Sequence, residues 1–193
     1  KFTDVSGAKL ESQHGFVETS GDFLRTDGIS VKAAEWLLDP SDISISSSAD
    51  SNVTGVSPAD ITPDGATGTS SVVSVTTIQN AINAGTNVTI KTTNASNTTG
   101  AGNITIASAL TFANQGATDA TLNLIADNGI TQNTGATITT DLVNSTKLVN
   151  ISMEAKGNYQ GNTAANANSK GITLNAAITT NGVLDWVAIG ALA

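Results

Sequence analysis

Asn87-Val-Thr-Ile90, Asn103-Ile-Thr-Ile106, Thr121-Leu-Asn-Leu124, Val149-Asn-Ile-Ser-Met153 and Gly171-Ile-Thr-Leu174 are variants of one phrase in which apolar residues alternate with Thr, Asn or Ser. Strict alternation describes a strand with one buried face and one wet face. The apolar anchors Ile90, Ile106, Leu124, Ile151 and Leu174 follow one another at intervals of 16, 18, 27 and 23 residues. Most of these intervals are too long for tight hairpins, and no helical pattern of useful length fills them. A loose repeat of roughly 20 residues with one main strand per unit predicts a coiled β-solenoid. Weaker strands follow the main ones, at Ala109-Leu-Thr-Phe112, around Ile130 and at Ala177-Ile-Thr179. Two or three strands per coil would close each coil into a tube, leaving sheet edges only at its ends.

Composition agrees with that fold class, all-β. Of the 193 residues, 12% are charged and 4% aromatic, and there is no cysteine. A stack of coils needs few large side chains, because each coil buries small β-branched and aliphatic residues against its neighbours. With 39% hydrophobic residues the chain is too apolar for a disordered segment. The absence of cysteine fits an exported bacterial protein better than a disulfide-stapled eukaryotic one.

The net charge of −8 is concentrated early: residues 1–64 hold 11 acidic and 4 basic residues. No Lys/Arg cluster occurs, which argues against nucleic-acid binding and against docking on anionic lipid. No apolar run approaches the ~20 residues needed to span a bilayer, so direct membrane insertion is not expected. No signal peptide is recognisable at Lys1-Phe-Thr-Asp4, and Ile189-Gly-Ala-Leu-Ala193 stops in mid-pattern, so the sequence reads as a fragment of something longer.

Three regions are distinguished. Residues 1–45 carry short strand-like pieces at Gly15–Thr19, Asp22–Arg25, Ile29–Lys32 and Glu35–Leu38, punctuated by Gly21, Gly28 and Asp39-Pro40. Residues 46–71 are rich in Ser, Asp, Gly, Thr and Pro, and read as one long polar excursion loop leaving the solenoid. Residues 72–193 carry the repeat, with Val88, Ile90, Ile104, Ile106, Leu122, Leu124, Ile151, Ile172 and Leu174 expected to point inward. Within them Thr76–Ala84 places Ile78 and Ile82 four apart, with a Thr as N-cap and Gly85 as the stop, predicting one or two helical turns.

The phrase Gly15-Phe-Val-Glu-Thr-Ser-Gly21, followed by Trp36-Leu-Leu-Asp-Pro40-Ser-Asp-Ile-Ser-Ile45, resembles the filamentous haemagglutinin and high-molecular-weight adhesin family of two-partner-secreted bacterial exoproteins. The specific likeness covers about residues 15–45. The resemblance implies a right-handed parallel β-helix and export through a partner outer-membrane transporter. It also implies display at the cell surface or release, and adhesion to a host-cell or bacterial surface receptor or glycan. The family's secretion domain, with its signal peptide and N-terminal cap, is not recognisable here, so the segment looks like passenger shaft. Alternatives are the shaft of a contact-dependent inhibition toxin and a polysaccharide-active β-helix enzyme.

Reactive residues are sparse, and no catalytic, cofactor-binding or metal-ligating site is expected. There is no Cys and no Gly-x-Ser-x-Gly. The one histidine, His14, lies between Glu11 and Glu18 without a metal-binding pattern, and reads as a surface residue. The acids of the repeat region, Asp119, Asp127, Asp141, Glu154 and Asp185, fall at scattered phases, which does not build an acid–base pair. Asn-x-Ser/Thr triplets begin at Asn52, Asn87, Asn94, Asn97, Asn103, Asn144 and Asn150, little more than the roughly five that composition predicts by chance. Those in expected loops, Asn52, Asn94 and Asn97, are the better candidates for glycosylation. Asn87 and Asn103 precede what read as equivalent strands, where a hydrogen-bonded Asn ladder is the competing role. Trp36 reads as core, and Tyr159 as an exposed aromatic.

Overall fold

The computed structural model describes residues 2–20, 23–39, 42–48, 53–54, 62–63, 71–92, 102–156 and 171–188. They form an all-β fold with one short helix. Two short strands, β1 (Phe2–Asp4) and β3 (Phe23–Arg25), pair in parallel. Sheet I comprises β2 (Lys9–Ser20), β4 (Ser30–Asp39), β9 (Asn87–Lys91), β12 (Ala120–Ala126), β15 (Val149–Ala155) and β18 (Leu184–Ala188), side by side in that order. Sheet II runs β8 (Ser71–Ser74), β5 (Ile43–Ser46), β10 (Ile104–Ile106), β13 (Gly129–Gln132) and β16 (Gly171–Leu174). Sheet III is β11 (Leu110–Phe112), β14 (Ile138–Thr140) and β17 (Ile178–Thr179). Every ladder in these sheets is parallel. From β9 onward the chain runs through sheets I, II and III in turn, again and again, until β18.

Alternation fixes which side chains meet. Sheet I aligns Val17, Trp36, Val88, Leu122, Ile151 and Leu184 in one column. Sheet II aligns Ile43, Ile104, Ile130 and Ile172, and sheet III aligns Leu110, Ile138 and Ile178. These columns belong to a single hydrophobic cluster. Like residues at like heights pack against one another, and each fully buried Leu or Ile contributes about 1.5–3 kcal/mol. The residues between them form outward columns, such as Ser44, Thr105, Thr131 and Thr173. Seven of the expected inward residues are essentially inaccessible, but Leu174 is 37% exposed and Ile172 is only partly buried, because no described strand pairs beyond β16 in sheet II.

Several expectations need correction. The phrases at Asn87 and Asn103 are not equivalent positions of one repeat: β9 belongs to sheet I and β10 to sheet II. Ile90 pairs with Leu124, and Leu124 with Met153, so one full pass takes about thirty residues, not about twenty. The pieces at Ile29–Lys32 and Glu35–Leu38 are one strand, β4. Sheet II also departs from sequence order, since β8 returns on the far side of β5 from β10.

The strands framing residues 46–71 end at Ser46 and resume at Ser71. Between them Ser47, Ser48 and the strands β6 (Val53–Thr54) and β7 (Thr62–Pro63), paired antiparallel, are described; the rest of the excursion lies outside the described residues. The helix α1 (Val75–Asn83) is capped by Ser74, not by a Thr: Ser74 Oγ accepts from Thr76 N at 3.3 Å. Gly85, with φ +82°, reverses the chain just past its end. α1 lies along the edge of β11. Gln79 Nε2 donates to Thr111 O (2.6 Å), and Ala113 N donates to Asn83 Oδ1 (2.7 Å), so the helix satisfies polar groups along an otherwise open sheet edge.

Candidate functional site

The links that carry the chain back into sheet I, residues 84–86, 113–119, 141–148 and 180–183, stack on one another and are tied together by side-chain hydrogen bonds. Asn114 is wholly buried. Its Nδ2 donates to Thr118 O (3.1 Å) in its own link and to Leu148 O (3.2 Å) in the next, while its Oδ1 accepts from Gly116 N (3.0 Å). Asn87 Oδ1 accepts from Thr121 N, Asp119 Oδ1 from Leu148 N, Asn150 Oδ1 from Val183 N and Asn181 Oδ1 from Val149 N. Each bond ties one pass of the chain to its neighbour, where the strand ladders cannot. The links approach closely: a Cβ on Gly116 would lie 2.5 Å from Ala84 C, and one on Gly182 2.6 Å from Val149 O.

Two features of these links face solvent. Beside the first two is a groove of about 500 Å3, lined by Ala33, Ala34, Ala84 and Ala117 together with Lys32 and Asp119. The third link projects instead. Asp141 Oδ1 accepts from Val143 N (2.9 Å) and Asn144 N (3.1 Å), its Oδ2 accepts from Asn144 Nδ2 (2.6 Å), and its carbonyl accepts from Ser145 N. The bond from the Asn144 side chain, then those from the backbone, hold the Asp141 carboxyl below the usual aspartate range. The turn so stapled presents Leu142, 63% exposed, and Val143, 90% exposed. Neither the groove nor the projection carries a sequence signature.

Among the described residues, no group of three or more His, Cys, Asp or Glu is placed to hold a metal ion. His14 lies in β2. Asp185 pairs with Ser152 and Glu154 with Val187, so these two acids do not face each other across the ladder. Asp119 and Asp141 are occupied in separate links as described above.

Asn52, Asn94, Asn97 and Tyr159 lie outside the described residues. Asn103 does form an Asn–Asn pair, its Oδ1 accepting from Asn128 Nδ2 (2.9 Å) just before the next strand of sheet II, whereas Asn87 Oδ1 accepts from the Thr121 backbone instead of from an Asn side chain. Trp36 is fully buried, and its Nε1 donates to Thr19 Oγ1 (2.9 Å), whereas Trp186 is 53% exposed. No helix among the described residues is long and apolar enough to cross a membrane. No family model, curated protein or solved structure matches the chain.

Proposed function

We propose that the chain is a length of right-handed parallel β-helix. It serves as the rigid shaft, and in part the contact surface, of an adhesin exported through an outer-membrane transporter and displayed on the bacterial surface. The handedness follows from the strong preference of parallel strand–crossover–strand connections. A tube of repeated rungs transmits length without needing a reactive centre, so the role proposed is structural and non-catalytic. The receptor class is a host-cell or bacterial surface protein or glycan.

The observation that carries this reading is the meeting of the two family-like phrases. Val17 in Gly15–Gly21 pairs with Trp36 in Trp36–Ile45, and Trp36 donates to Thr19. Their contact gives a physical reason for the two phrases to occur together, and so strengthens the resemblance from which adhesion is argued. The test is attachment: bacteria lacking the full-length protein should adhere less to host cells, and complementation should restore adhesion. Unchanged attachment after deletion would contradict the proposal.

A further inference from the structure

The alanine-lined groove and the Leu142–Val143 turn lie on the same edge of the molecule, both at the links into sheet I, at different heights along the stack. The groove spans the levels of β4, β9 and β12, and the turn precedes β15, so the whole device occupies about 14 Å of the stack at the usual spacing between strands. A cavity at one height and a knob at another, on one edge, become reciprocal under a two-fold axis perpendicular to the stack. We infer that this edge joins two copies of the chain side by side and antiparallel, the Leu142–Val143 turn of each seated in the alanine-lined groove of the other.

Three observations favour a second copy as occupant. Alanines make up four of the nine residues that line the groove, Lys32, Asn87, Thr118 and Asp119 forming its polar part, and about 500 Å3 takes two aliphatic side chains. The knob is pre-shaped: Asp141 fixes the backbone that bears Leu142 and Val143, so little order is lost when it docks. Apolar exposure continues along the edge through Leu148, 44% exposed, and Val183, 65% exposed. Charges also match. The groove carries Lys32 and Asp119, and the turn carries Asp141 and Lys147, one of each sign on both sides. Neither Lys32 nor Lys147 makes an ion pair among the described residues, and Glu11, which faces Lys32 across the ladder, is bridged to Lys9 at 3.0 Å. A contact of this extent predicts association in the micromolar range, since small interfaces are the weak ones.

Sedimentation velocity of the 193-residue chain from low to high micromolar concentration reads the outcome directly. A closed dimer is expected. Val143→Asp on the knob and Ala34→Trp in the groove, both at exposed positions, should each weaken it about tenfold or more, without lowering the melting temperature at concentrations where the parent is monomeric. Because the chain has no cysteine, Val143→Cys and Ala34→Cys variants mixed and oxidised should cross-link to each other, and neither should do so alone. Lys147→Glu should weaken the dimer, and Asp119→Asn, which keeps the oxygen that accepts from Leu148 N, should restore it. A monomer at high micromolar concentration, open polymers in place of a closed dimer, or a dimer indifferent to both Val143→Asp and Ala34→Trp would overturn the inference.

Discussion

Asn114→Ala should destabilise the protein more than any substitution at a typical surface asparagine, by about 3–5 kcal/mol. The figure is built from the side chain's surroundings. Three hydrogen bonds disappear, each worth about 1 kcal/mol net, and Thr118 O, Leu148 O and Gly116 N lose a buried partner, which adds desolvation cost. Ser145→Ala removes only the bond from Asn114 N to Ser145 Oγ (3.2 Å), and should cost about 1 kcal/mol. Asn114→Asp keeps the shape but sets a carboxyl against two carbonyl oxygens. Its charged form is disfavoured, so its folded pKa rises above the unfolded value. The stability it retains is therefore fully present below about pH 4 and is lost as pH rises through the folded pKa. Denaturant unfolding followed by far-ultraviolet circular dichroism measures all three. An Asn114→Ala variant within about 0.5 kcal/mol of the parent, or an Asn114→Asp variant that gains stability with rising pH, would refute the view that this side chain ties the links together.

Gly116→Ala and Gly182→Ala should each cost about 2 kcal/mol or more, because the new methyl meets backbone of the adjoining link, while Gly135→Ala, in open space at φ +80°, should cost only about 1–2 kcal/mol; equal costs in denaturant titrations would refute the close approach. Trp36→Phe strands the buried Thr19 hydroxyl and should cost about 1–3 kcal/mol. The emission left over then comes from half-exposed Trp186 and should shift to the red, and an unshifted spectrum would be inconsistent with the burial of Trp36. The Asp141 carboxyl, its folded pKa depressed, supports its turn above the unfolded value of about 4 and ceases to as pH falls through the folded value; an NMR titration midpoint at or above about 4 would contradict this.

Alternation between apolar and polar residues made the strands of the repeat region legible, and with them the inward sets such as Val88 and Ile90 or Leu122 and Leu124. It did not reveal which strands stack. Phrases in sheets I and II look alike because both sheets present the same environment, so Asn103–Ile106 passes for the next copy of Asn87–Ile90 when it is the next side of the same pass. Unequal links hide the true interval. The helix was legible through Ile78 and Ile82, but its cap fell to Ser74 because the chain remains extended there, in β8, up to the first helical turn. The groove escaped sequence reading for a different reason. Its alanines come from three separated segments and have no signature until register brings them together, just as Gly116 has meaning only beside Ala84.

Stacking in parallel register is the claim on which the rest depends, and one outward column of sheet I tests it. Glu18, Leu37, Thr89, Asn123, Ser152 and Asp185 occupy successive rungs of that column. Spin labels on Glu18→Cys and Asp185→Cys, far apart in sequence, should give a narrow electron–electron distance centred near the about 24 Å that five strand spacings require. Moving the second label to Ser152 and then Asn123 should shorten it by about 5 Å each time. Distances that are broad, or that fail to step down in this order, would contradict the stacked parallel architecture.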